Sequence, residues 1–247
     1  MKDSSTQSWD RIAEDWIAHA DSNDYRNIFL IPHTLTLLGE IAEKEILDVG
    51  CGEGGYTRIL ASRGSHVTGI DGSARLIDIA KQRAEKENLT IVYKVRNANS
   101  LYDLEEESFD IVLAAMSLMD VEDYSGTVAE IYRVLRKGGE LLMSISHPCF
   151  TGRGSGWWRN ADGVIDHYAV SNYANREVWE EFITNKFAGA VLFRHMPLGD
   201  FISPLLALGF KLVLFQEPAP TAEMILQSER LKRLNSIPLF LFMKWLK

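Results

Sequence analysis

The stretch Ile46-Leu47-Asp48-Val49-Gly50-Cys51-Gly52-Glu53-Gly54-Gly55 decides how this chain is read. A short strand-type run enters a glycine-dense turn, and residues 55–63 beyond it have helical character. Glycines let backbone approach a ligand closely, and the first free amides of a helix, aided by its dipole, favour an anionic group. A strand–glycine turn–helix unit therefore predicts a site for a nucleotide-like ligand.

Working outward, short apolar runs alternate with helical segments. Strands are expected at 45–49, 66–71, 90–95, 109–116 and 139–146, with helices at 55–63, 74–88 and 123–136 between them. Such alternation implies right-handed βαβ units and a parallel sheet. A helix at 198–208, a strand at 210–215 and a final strand at 239–245 follow. About 23 residues separate the last two strands, enough for a short helix or a hairpin-like return. Upstream, Trp9, Ile12, Ala13, Trp16 and Ala20 recur at helical spacing. A second helix is expected from about Tyr25 to Ala42, with Pro32 in its first turns or at a kink. Residues 1–44 thus read as a helical cap on one domain spanning 1–247. The segment 150–195 breaks the alternation. It holds 9 aromatics in 46 residues, about double the 10% of the whole chain, and opens with Gly152, Gly154 and Gly156. It reads as an insertion between the fifth strand and the helix after it.

With 247 residues and 46% hydrophobic content, the chain can bury one large core. Its net charge of −8 argues against nucleic acid as a partner, because an acidic surface repels phosphates. The mildly basic run 58–63 reads as the solvated face of a helix. Cys51 and Cys149 have no metal-ligand spacing, so no metal is expected, and free thiols suit a reducing compartment. The polar start lacks the apolar stretch of a signal peptide, and the apolar run 237–246 is too short to span a bilayer. A cytoplasmic location without a membrane span follows as the expectation. Oligomeric state is left open.

Gly50, Gly52 and Gly55 also satisfy G-x-G-x-x-G, so the glycines alone do not separate NAD from S-adenosylmethionine. Asp71, 21 residues beyond Gly50, suits ribose hydroxyls in either case. Asp48 separates them better. A carboxylate two residues before the first glycine repels a pyrophosphate and attracts a sulfonium and an α-ammonium. S-adenosylmethionine is favoured.

The order LDVGCGEGG, VTGIDGS, SFDIVLAAMSLMDVED, IYRVLRKGGELLMSISHP and LGFKLVLFQEP resembles class I S-adenosylmethionine-dependent methyltransferases over nearly the whole chain. The resemblance implies an α/β fold: a Rossmann-like, seven-stranded, mostly parallel sheet with helices on both faces and the last strand antiparallel. By position it implies that Asp48, Gly50, Cys51 and Gly52 line the methionine side of the cofactor. Asp71 would hold the ribose, with Gly72 and Ser73 alongside. Asn97-Ala98 stands where such proteins commonly carry Asp-Ala against the adenine. The asparagine keeps a carbonyl acceptor and loses the charge. Met116 would lie beside the cofactor, and Tyr25 and Arg26 would cover it from the cap. Arg26 reads either as a partner for the cofactor carboxylate or as a plain surface arginine.

Methyl transfer is an in-line displacement on an activated sulfonium, so alignment and desolvation supply much of the catalysis. Where the acceptor needs a base, His147, directly after the fifth strand, and His195, at the end of the insertion, are the candidates. Asp120 reads as a substrate-orienting group or as a helix cap. Trp157, Trp158, Tyr168, Tyr173, Trp179 and Phe193 either wall an acceptor pocket or form a private core for the insertion. The expected function is methyl transfer to a small-molecule acceptor with an apolar or aromatic part. An RNA or protein methyltransferase would need a basic groove or a recognition module. A catalytically silent S-adenosylmethionine-binding protein would carry the same glycine turn. An NAD-dependent oxidoreductase would carry it too, but Asp48 weighs against that reading.

Overall fold

In the computed structural model, residues 4–184 and 187–247 are described; residues 1–3 of the expected cap and 185–186 of the expected insertion lie outside them. The strands of the sheet carry apolar side chains toward both faces. Leu47, Val112, Ala114, Leu141 and Met143 enter one cluster, while their neighbours Ile46, Ile111, Leu113 and Leu142 enter another. This two-sided burial is the pattern of a parallel sheet covered by helices.

Among the described residues, seven strands form that sheet. They are β1 (Glu45–Val49), β2 (His66–Asp71), β3 (Val92–Val95), β4 (Phe109–Ala115) and β5 (Leu135–Ser146), with β10 (Lys211–Gln216) and β11 (Phe240–Leu246) late in the chain. The order is β10-β11-β5-β4-β1-β2-β3, and β11 runs antiparallel to both β5 and β10. The expected Rossmann-like sheet with an antiparallel last strand is therefore present. Helix α6 (Tyr124–Val134) and helix α7 (Leu198–Leu208) pack Val128, Ile131 and Leu205 on one face. Helix α3 (Ile31–Leu38) and helix α4 (Gly55–Ser62) pack Leu38 and Leu60 on the other. Helix α5 (Ala74–Lys86) sets Ile77, Ala80 and Ala84 against Cys51 and Tyr93. The return to β11 is α8 (Ala222–Gln227) followed by a 3-10 segment, Glu229–Asn235.

Three local features differ from the expected elements. The first cap helix is broken into α1 (Ser4–Arg11) and α2 (Ala13–Asp21), with Ile12 at φ −111 and ψ 12 between them. The second begins as a π-helical turn, Tyr25–Leu30, before α3. Pro32 brings no N–H to the helical ladder, and the wide turn just before it, closed by Ile31 N–H on the Arg26 carbonyl, accommodates that loss. The insertion is two hairpins, β6 (Gly156–Arg159) with β7 (Ile165–Ala169) and β8 (Glu177–Glu181) with β9 (Val191–His195). None of the described helices is long and apolar enough to cross a membrane.

Trp245 of β11 is fully buried in the larger cluster, and its indole N–H has no hydrogen-bond partner among the described residues. Trp245→Ala should therefore lower stability by about 3–5 kcal/mol through the cavity it leaves. Trp245→Phe, which deletes an unsatisfied donor while keeping a ring, should cost far less. Urea unfolding of both variants checks the ranking, and equal losses would refute it.

Candidate active site

A cavity of about 720 Å³ opens at the carboxyl ends of β1 to β5, roofed by the cap and by the insertion. That volume lies within the range of small-molecule sites. The β1–α4 turn forms its floor. Gly50 and Cys51 donate their amides to the Ile70 carbonyl at 2.8 and 2.9 Å, which joins the turn to β2. Gly50 has a positive φ, and a Cβ there would run into Ser117, whose hydroxyl donates to the Val49 carbonyl at 2.6 Å. Gly52 is also left-handed, but a Cβ on it would meet only Trp16 Nε1, at 4.0 Å, and would occupy cavity space.

Two carboxylates flank this turn. Asp71 accepts from the Gly52 amide at 2.9 Å and from the Ser73 amide at 2.8 Å. Burial nevertheless raises its pKa to about 6, against those two amide bonds. Asp48 is buried beneath the turn and accepts from the Thr57 hydroxyl at 2.7 Å. Burial lifts it to about 7, with the Thr57 bond opposing and nearby Glu53 adding to the rise. A third carboxylate, Asp120, lines the opposite half of the cavity. Burial raises it to about 7 too, opposed by the Arg194 charge and a hydrogen bond from Trp9.

Most of the residues singled out from sequence meet in this cavity. Tyr25, Arg26, Asp48, Gly50, Cys51, Gly52, Asp71, Gly72, Asn97, Ala98, Met116 and His195 all line it. Met116 does so at φ +55, an unusual conformation for a residue with a side chain, held by its amide on the Ser144 carbonyl at 2.8 Å. Ser73 does not line the cavity. It is fully buried, caps α5 by accepting from the Leu76 amide, and hydrogen-bonds to Asp10 of the cap. Arg26 lines the cavity and is paired there with a carboxylate of this chain. Its Nη2 is 2.8 Å from Glu53 Oε1, in an ion pair with side chains 15% and 4% exposed. It ties the cap to the glycine turn.

His147 is a correction. It does not line the cavity, although its neighbours Ser146 and Pro148 do. Its Nδ1 accepts from the Cys149 amide at 3.2 Å, so Nε2 carries the proton and donates to Glu217 at 2.7 Å. With both nitrogens committed, the ring has no lone pair to take a proton from an acceptor. A position directly after a strand suggested a base, but it does not say which way a side chain turns. His195 does line the cavity, and its Nε2 donates to the Tyr173 carbonyl at 2.9 Å, which leaves the lone pair on Nδ1.

The insertion's aromatics divide. Tyr168, Trp179 and Phe193 line the cavity; Trp157, Trp158 and Tyr173 do not. Trp157 packs edge-on against Tyr168, and Trp158 stacks on His167. Sequence reasoning missed Trp9, Trp16 and Arg194 as cavity residues. The seven-residue spacing of the two tryptophans marks one helix face, but it does not distinguish a face on a core from a face on a cavity.

Because His147 braces the β5 end rather than facing the cavity, His147→Asn should lower stability by about 1–3 kcal/mol and leave cofactor affinity unchanged. Chemical denaturation and calorimetric titration on the same variant test this. Weakened binding with intact stability would contradict it.

Residues 47–143 match the family described as "Methyltransferase domain". The chain is 39% identical over 114 residues to the demethylmenaquinone methyltransferase of Tropheryma whipplei, across 45% of this chain and 46% of that protein. It is 33% identical over 136 residues to the ubiquinone biosynthesis O-methyltransferase of Methylococcus capsulatus, across 55% of each. It thus spans about half the length of these relatives. A crystal structure of an S-adenosylmethionine dependent methyltransferase from Mesorhizobium loti superposes with a TM-score of 0.75 at 23% identity, covering 92% of this chain and all of that one, which shows the shared fold. The matched segment runs from within β1 to within β5 and holds the glycine turn and both flanking carboxylates, so this part of the chain is similar to methyltransferase domains.

Proposed function

We propose that this protein transfers the methyl group of S-adenosylmethionine to a small, largely apolar or aromatic acceptor. The observation that carries the reading is the pair of desolvated carboxylates, Asp48 and Asp71, on either side of the Gly52 turn in a cavity at the sheet's carboxyl edge. Desolvated acids of this kind are stabilised by a cationic ligand and would repel a pyrophosphate. The residues fit S-adenosylmethionine, which supplies an activated methyl group when bound.

Asp48, Gly50, Cys51 and Gly52 would line its methionine side. Asp71 would accept from the ribose hydroxyls, with Gly72 beside it and the Ser73 amide fixing its carboxylate. Asn97 and Ala98 would meet the adenine, and Met116 would lie between cofactor and acceptor. Tyr25 and Arg26 would close the site from the cap, Arg26 through Glu53. In the other half, Trp9, Tyr168, Trp179, Phe193 and Phe201 form an apolar wall. That wall and the names of the two quinone-pathway relatives support an apolar acceptor. The acidic net charge supports a small molecule over nucleic acid, and the free thiols of Cys51 and Cys149 support a cytoplasmic location.

Calorimetry with S-adenosylmethionine, S-adenosylhomocysteine and NADH tests the cofactor. Binding of NADH alone would overturn the proposal. Asp71→Ala should weaken S-adenosylhomocysteine binding by roughly 1.5–3 kcal/mol, the scale of hydrogen bonds to a charged group. Gly52→Val should be at least as damaging, since it adds both strain at positive φ and bulk in the cavity.

A second expectation concerns protons. Near pH 6.5, Asp48 at about 7 and Asp71 at about 6 are both partly protonated in the free protein. A neighbouring cation favours their ionised forms, so binding S-adenosylmethionine should release up to about one proton. The neutral thioether of S-adenosylhomocysteine should release less. Titration in two buffers of different ionisation enthalpy reads the count. Proton uptake, or equal release by both ligands, would contradict the placement.

A further inference from the structure

We propose that Asp120 is the catalytic base and that the acceptor is an aromatic hydroxyl compound; this rests on the methyltransferase reading above and names the substrate class of the same site. Three separate parts of the fold converge on this carboxylate. The β4 end is pinned by Ser117 to Val49, Leu118 is buried in the main cluster, and the Asp120 amide bonds to the Ser117 carbonyl at 3.0 Å. The loop thereby presents Met116, Met119 and Asp120 to the cavity together. From α1, Trp9 lines the same wall. From β9, Arg194 lines the same wall and is the charged group that acts on Asp120.

Arg194 is itself held at a distance from full pairing. Its Nη2 donates to the Ser4 hydroxyl at 2.7 Å and stands 3.5 Å from Glu122, while its buried Nε has no partner among the described residues. Asp120 is thus a desolvated carboxylate that shares the cavity wall with Trp9 and with an incompletely neutralised guanidinium. Such a group takes up a proton readily. Near neutral pH it is divided between its two forms, the condition in which a base is most effective.

The surroundings select the acceptor. Trp9, Met119, Trp179, Phe193, Met196 and Phe201 line the cavity with apolar surface suited to a ring. The Arg194 cation disfavours an ammonium acceptor and favours one that develops negative charge. In the step, the acceptor hydroxyl gives its proton to Asp120 as its oxygen bonds to the methyl carbon. The carbon–sulfur bond breaks with its electron pair going to sulfur, so charge and atoms balance. His195 also lines the cavity and keeps a lone pair on Nδ1, so the two groups are separated by comparing their variants.

The test uses the full chain with 2-naphthol, catechol and 4-nitrophenol as acceptors and methyl ethers read by mass spectrometry. Wild-type protein should methylate at least one of the first two, with a rate that rises with pH through neutrality. Asp120→Asn should lower that turnover by ~10²-fold or more and remove the pH rise. It should keep S-adenosylhomocysteine affinity by calorimetry, and it should lose less than about tenfold on 4-nitrophenol, which ionises without help near neutral pH. Arg194→Gln should move the pH rise to higher pH, because it removes a charge that favours the carboxylate; this readout stands even if Asp120→Asn does not fold. Full activity of Asp120→Asn on 2-naphthol and catechol, an equal loss on all three acceptors, or a loss seen only in His195→Asn would overturn the assignment. So would failure to methylate any of the three by a preparation that binds S-adenosylhomocysteine. A preparation that does not bind it overturns the methyltransferase reading instead, and this one with it.

Discussion

One carboxylate, Asp71, fastens two turns that would otherwise be independent. The Gly52 amide belongs to the β1–α4 turn and the Ser73 amide to the β2–α5 turn, and both donate to it. Parallel strands share no hairpin, so their connecting turns have no covalent reason to stay in register at the sheet edge. The Ile70 carbonyl, accepting from Gly50 and Cys51, and the Asp71 side chain provide that reason. The cavity floor is therefore set by hydrogen bonds to main-chain amides, which are short and directional, rather than by side-chain packing alone.

The cap depends on this floor and in turn connects it to the insertion. Ser73, which fixes Asp71 through its amide, reaches Asp10 through its hydroxyl. Arg75 pairs with Glu14 and Arg83 with Asp21 along the same side. On the opposite side Arg11 pairs with Glu180, Asp15 accepts from the Ala188 amide, and Ser4 accepts from Arg194. The exposed pairs contribute little singly. The Arg26–Glu53 pair is different in kind, because removing Arg26 would leave the buried Glu53 with only the Arg83 guanidinium, 3.9 Å away. The two short helices α1 and α2 thus each have partners on both sides and bridge the two halves of one cavity.

What the sequence made legible follows from how local each signal is. β1, β2 and α7 fall at the expected residues, because a short apolar run closed by Gly50, the Asp71-Gly72 turn or Gly209 leaves little freedom at the ends. β5 begins four residues earlier than expected, at Leu135, where a register shift against β4 hides the polar residues 136–138 from any pattern reader. Glycine, aspartate and Met116 positions in the site were legible because strand ends at a parallel sheet edge converge by topology. His147, Ser73 and Arg26 were not, since their roles depend on partners 70, 63 and 27 residues away that no local pattern encodes. The hairpins of the insertion were equally hidden: residues 160–163 form a turn closed by Asn160, but the strands around it are short and none of their residues is fully buried.

The three raised carboxylates explain why this site is built as it is and not more stably. Asp48, Asp71 and Asp120 hold their protons more tightly in the folded protein than in the unfolded chain, whose aspartates ionise near pH 4. Between about pH 4 and 7 the native state therefore binds more protons than the unfolded state. By linkage the favourable contribution of these groups is complete below pH 4 and is lost as pH rises through 6 to 7. Asparagine at each position would avoid that loss. Retaining the acids serves two different ends within one cavity. Beside the glycine turn, ionisation is recovered when a cation arrives, so Asp48 and Asp71 turn a folding penalty into selectivity for a positively charged ligand. Across the cavity, Asp120 has Arg194 to oppose only part of the burial, which leaves its proton affinity near neutrality. The same burial that weakens the fold at neutral pH thus prepares one end of the cavity to hold a cation and the other to accept a proton.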